Sequence, residues 1–127
     1  MKNTNMVFGC LLLLISILVS GAASGGGRTT EVVIRIAPSV LHMDKDQGGE
    51  VTVHAGIPLG EVDTSSITLS GIPALHTKAD ARGNLVAKFN EDEVKAAISP
   101  PEATLTLTGL TVDDNPLEGS ARVVVRD

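Results

Sequence analysis

Ala103–Thr108 reads ATLTLT, with apolar residues at 103, 105 and 107 and threonine between them. On extended backbone successive side chains point to opposite faces, so Ala103, Leu105 and Leu107 face an interior and the threonines face water. A helix would scatter the same residues around its circumference. Leu110–Val112 extends the strand past Gly109, and Asp113-Asp114-Asn115-Pro116 makes a turn. Ala121–Arg126 (ARVVVR) then repeats the pattern, with Ala121, Val123 and Val125 inward and Val124 outward.

The period of two recurs toward the N-terminus. Glu31–Ile36 (EVVIRI) sets Val32, Ile34 and Ile36 against Val33 and Arg35. Pro38 interrupts this run before a short extended piece at Val40-Leu41. Asp44–Gly49 (DKDQGG) is a turn, and Val51–Ile57 (VTVHAGI) buries Val51, Val53, Ala55 and Ile57. Ser66–Ser70 (SITLS) buries Ile67 and Leu69, and Gly71 and Pro73 bend the chain toward a short edge strand at Ala74–Thr77. Asp80–Gly83 turns into Asn84–Asn90 (NLVAKFN), where Leu85, Ala87 and Phe89 point in and Val86 and Lys88 point out.

One helix interrupts the strands. Asn90 caps it, Glu93 stands at capping-box spacing, and Glu91, Asp92 and Glu93 suit the positive end of the helix dipole. Val94, Ala97 and Ile98 share a face, and Ser99-Pro100-Pro101 ends the helix because proline lacks the N–H that would continue it. About seven short strands with Gly, Pro and Asp turns between them predict an all-β protein, a β-sandwich with one short helix. Its interior would be Val, Ile, Leu and Ala, with Phe89 as the one large plug.

The chain has 127 residues, enough for one domain, with 10 Lys+Arg against 15 Asp+Glu and a net charge of −5. Its first residues form an address. Met1–Asn5 is polar and positive, Met6–Val19 (MVFGCLLLLISILV) is almost wholly apolar, and Ser20–Ser24 supplies small residues. That order predicts a signal peptide over 1–23, a flexible leader over 24–30 and the domain over 31–127. The alternative, an uncleaved membrane anchor, needs roughly 20 apolar residues, and this run is 14 long. Gly9-Cys10 resembles the end of a lipobox, but the apolar stretch mostly follows Cys10, so the cysteine is expected to leave with the signal. Cleavage after Ala23 takes 23 residues from 127 and leaves 104, with Phe89 as the only aromatic and no cysteine.

From Ile34 to Val125 the order of motifs resembles a small immunoglobulin-like module of secreted bacterial and archaeal proteins. The matching segments are Ile36–Leu41 (IAPSVL), Val51–Val53 (VTV), Asp63–Pro73, Gly83–Phe89 (GNLVAKF), Leu105–Gly109 (LTLTG) and Gly119–Val125. Where such modules often carry a D-G-T turn before the last strand, this chain has Asp113-Asp114-Asn115-Pro116. The resemblance implies an immunoglobulin-like sandwich and no particular activity.

Composition excludes several functions. A net acidic chain without a basic tract is a poor partner for nucleic acid, and the scarcity of aromatics removes a stacking platform for sugars or bases. A single cysteine cannot build a disulfide scaffold or a multi-cysteine zinc site. His42, His54 and His76 show no H-x-H or H-x-x-x-H spacing. No serine lies in a G-x-S-x-G elbow. The expected protein is therefore a non-catalytic, secreted, periplasmic or surface-associated structural or protein-interaction module. It requires no cofactor, has a protein partner, and has no stable membrane span once the signal is gone. Two alternatives stand beside it. One is a calcium-dependent adhesion module with Asp44, Asp46, Asp113 and Asp114 as candidate ligands, although the EF-hand pattern begun at Asp44 fails at Gly48 and Ala55. The other is a secreted protease inhibitor of chagasin type, whose loop motifs Gly48-Gly49 and Asn115-Pro116 echo faintly.

Overall fold

Each alternating stretch is extended chain in the computed structural model, which describes residues 28–127. The signal peptide, Cys10 and Ser24–Gly27 of the leader lie outside the described residues. The strands are β1 (Thr30–Glu31), β2 (Ile34–Ala37), β3 (Val40–His42), β4 (Glu50–Pro58), β5 (Val62–Leu69), β6 (Ile72–Pro73), β7 (His76–Ala79), β8 (Asn84–Asn90), β9 (Glu102–Thr111) and β10 (Pro116–Arg126). Helix α1 spans Glu91–Ala96, and a single 3₁₀ turn, Leu59–Glu61, joins β4 to β5.

Two sheets face each other as a β-sandwich. One is four-stranded and antiparallel, in the order β2-β4-β8-β7. The other runs β1-β10-β9-β5-β6, with β3 also paired to β10. Between them lies an aliphatic core that includes Val51, Val53, Leu69, Leu105, Leu107 and Val123, with Phe89 fully buried among them. Leu41 joins this core from the short strand β3, and Leu117 from the first turn-side residues of β10.

Ten strand segments replace the seven expected: the first strand is divided between β1 and β2, and Val40–His42 and Ile72–Pro73 form strands of their own. The Val32 amide donates to the Glu118 carbonyl of one sheet at 2.9 Å, and the next residue, Val33, accepts from the Gly56 amide of the other at 2.9 Å. The chain thus crosses between sheets within two residues. Gly119 makes the crossing possible: a Cβ there would overlap the Val32 carbonyl oxygen and approach Ile34 Cγ2 at 2.9 Å. Past Pro38 the chain returns, and the Ser39 carbonyl accepts from Val124 at 2.9 Å.

Two side chains depart from expectation. Val86 points out as its alternation predicts, yet it is only 2% exposed. It is absent from the inter-sheet core and sits in the cross-strand row Arg35–His54–Val86–Lys78. The long flanking side chains of that row shelter it. Ala97, expected on the buried face of the helix, is the exposed C-cap residue, and Glu91 and Lys95 are buried beside Val94. The cap itself is as expected, with Asn90 Oδ1 accepting from the Glu93 amide at 3.0 Å.

Candidate functional site

The outer face of the four-stranded sheet is built by register. One row carries Arg35, His54, Val86 and Lys78, and the next carries Ala37, Thr52, Lys88 and His76. Arg82 stands at the rim, in the turn between β7 and β8. Four of the nine basic side chains of residues 28–127 therefore gather on one face of an acidic protein. The two carboxylates there are engaged: Glu50 meets His76 Nε2 at 3.2 Å, and Asp80 accepts from its own turn. Lys88 Nζ donates to Thr52 Oγ1 at 2.9 Å. Among the described residues, Arg35, Arg82 and Lys78 make no ion pair.

At one end of this face lies an open groove of about 480 Å³. Its floor is β4 at His54, Ala55 and Gly56, one wall is Val33 and Arg35, and the other is the β7–β8 turn with Arg82. Both walls are fixed by backbone hydrogen bonds. Gly56 N–H donates to the Val33 carbonyl, and Leu59 N–H donates to the Gly83 carbonyl, each at 2.9 Å. Asp80 organises the turn, its Oδ1 accepting from the amides of Arg82 at 2.7 Å and Asn84 at 3.0 Å. The Asn84 and Arg82 amides hold the Asp80 carboxyl below its ordinary range, with a further contribution from the charges of His54 and Arg82 and opposition from desolvation. Gly83, at φ 83°, completes the turn where a side chain would be strained.

A second polar assembly lies at the opposite end, under the β3–β4 loop. Glu91 accepts from the Gly49 amide at 2.8 Å and the Gln47 amide at 3.0 Å, and from Lys95 Nζ at 2.6 Å. Lys95 Nζ also donates to the Lys45 carbonyl at 2.6 Å. Gln47 ties the loop to β3, its Oε1 accepting from His42 N–H and its Nε2 donating to the Val40 carbonyl. The Lys95 hydrogen bond holds the Glu91 carboxyl below its ordinary value against desolvation, with the Gln47 and Gly49 amides adding to the effect. This assembly fastens the β3–β4 loop to helix α1.

The candidate calcium ligands are dispersed. Asp44 and Asp46 lie in the β3–β4 loop beside the C-terminal end of β10, and Asp46 Oδ1 accepts from the Gly48 amide at 2.9 Å. Asp113 and Asp114 form the β9–β10 hairpin at the other end of that strand. The two inhibitor-like segments, Gly48-Gly49 and Asn115-Pro116, are separated by the same length of β10. His54 and His76 share the basic face, whereas His42 belongs to the other sheet. Among the described residues, no group of three or more His, Cys, Asp or Glu is placed to hold a metal. Also among them, no helix is long and apolar enough to cross a membrane.

No family model and no curated protein matches the chain. The fold is similar to that of a chain from a structural study of host cell surface retention of a 1.5-MDa bacterial ice-binding adhesin. That likeness has a TM-score of 0.40 at 16% identity and covers 89% of this chain. This chain spans about a third of the length of the adhesin chain it matches, 33%.

Proposed function

We propose that the chain is an exported, non-catalytic, immunoglobulin-like module that binds another protein through the outer face of its four-stranded sheet. The observation that carries this reading is the concentration of Arg35, Lys78, Lys88 and Arg82 on one face, where the carboxylates of Glu50 and Asp80 are already engaged. Basic side chains that form no ion pair among the described residues attract a partner of opposite charge and orient it during encounter. Export is supported by the apolar Met6–Val19 tract between a basic start and small residues.

Photo-crosslinking in the producing cell tests this. A benzophenone side chain placed at Lys78 is expected to give an adduct of defined mass. The same group at Thr104, on the other sheet, is expected to give none. Equal labelling from the two positions, or none from either, refutes the reading.

A further inference from the structure

We infer that the groove between Val33–Arg35 and the β7–β8 turn binds a carboxylate-bearing side chain of an acidic polypeptide. This inference rests on the interaction reading above and names the ligand chemistry of one part of that face. Arg35 and Arg82 line opposite walls, and neither forms an ion pair among the described residues, although the charge of Arg82 is felt by Asp80. Guanidinium groups present planar pairs of N–H donors that match a carboxylate, and they keep their charge at any physiological pH. His54 adds a third polar group from the floor.

Asp80 is the one acid lining the groove, and its Oδ1 is already committed to two amides. The other carboxylates toward this end, Glu31, Glu61, Asp63, Asp113, Asp114 and Glu118, lie on the six-stranded sheet, its hairpin or the 3₁₀ turn after β4 and do not line the groove. The backbone of both walls is held by hydrogen bonds, so the ordering needed on binding is that of the arginine side chains.

Two features favour a polypeptide over an acidic sugar. The groove has no aromatic surface for a sugar ring to stack on. Val33 lies on its rim 81% exposed, an apolar contact for a neighbouring side chain. The floor is open at Gly56, whose added Cβ would meet only the Val33 carbonyl oxygen, at 3.5 Å.

The test uses the full chain, purified after export, and a fluorescein-labelled octaglutamate peptide read by anisotropy. Arg35→Glu and Arg82→Glu are each expected to weaken binding about tenfold, the size of one lost charge-assisted contact. Arg122→Glu alters net charge equally on the other sheet and is expected to leave binding nearly unchanged. Gly56→Val fills the floor without changing charge and is expected to abolish binding. All four sites are exposed, and circular dichroism confirms that each variant folds.

The inference is overturned by no binding at millimolar peptide, by equal losses in the Arg35 and Arg122 variants, or by full binding in Gly56→Val. It is also overturned by tighter binding of an oligoguluronate than of the peptide. Should crosslinks form at Lys78 while the groove variants change nothing, the ligand assignment fails and the interaction reading stands.

Discussion

Replacing Glu91 by alanine removes the acceptor that holds the β3–β4 loop on helix α1. The Lys95 ammonium and the Gln47 and Gly49 amides all lose a partner at once. The side chains of Glu91 and Lys95 are 4% and 8% exposed, so little of either is open to water. Breaking a buried pair from one side costs about 3–5 kcal/mol, and the lower end applies here because a single loop covers the site. A loss of about 3 kcal/mol in a domain of this size lowers Tm by roughly 12 °C or more. Lys95→Met is expected to cost about 2 kcal/mol, because Glu91 keeps its two amide donors. The double variant should cost about 3 kcal/mol rather than the sum, which gives a coupling of about 2 kcal/mol.

The pH dependence has a definite sign. Glu91 has a folded pKa below its ordinary value of 4.5. Its contribution is present above 4.5 and fades as pH falls through the depressed folded value. Urea titrations followed by far-UV circular dichroism, repeated between pH 7 and pH 3, measure all of this. Additive single effects, or a wild-type advantage that is the same at pH 3 as at pH 7, would refute the reasoning.

Phe89→Ala leaves a cavity at the centre of the aliphatic core and should cost about 3–5 kcal/mol in the same urea assay. A loss below 1 kcal/mol would mean that the plug is not packed as described. Gly119→Ala drives a methyl into the Val32 carbonyl oxygen and should destabilise by about 1–3 kcal/mol, with faster hydrogen exchange at the Val32 amide. Wild-type stability in that variant would place the sheet crossing elsewhere. Melting curves in millimolar calcium and in chelator should superimpose, since the candidate carboxylates sit at opposite ends of β10. A rise in Tm with calcium would restore the calcium-dependent alternative.

The sandwich was legible because most of its strands have one dry face, and alternation records that directly in ATLTLT, VTVHAGI and ARVVVR. The outward direction of Val86 is legible, but its burial is not, because its cross-strand neighbours His54 and Lys78 come from distant segments. The crossing at Val32-Val33 falls in the apolar run Val32-Val33-Ile34, where the alternation of EVVIRI lapses and marks no single inward face. Glu91 read as a helix-dipole residue, and its Glu-to-Lys spacing of four was the available sign of a pair with Lys95. The loop amides that share it become visible only once the loop is folded. The groove had no local signature, because positions 35 and 54 are brought together by strand register and 82 by the β7–β8 turn.

The divided first strand has a mechanical consequence. Both β1 and β3 run parallel to β10, so the N-terminal segment and the final strand lie side by side and leave the domain at opposite ends. Tension between Arg28 and Asp127 therefore loads their hydrogen bonds in shear, several at a time, instead of peeling them apart one by one. Pulled along its own length, this domain resists as a lap joint does, and the small overlap at each end sets how hard it can be pulled.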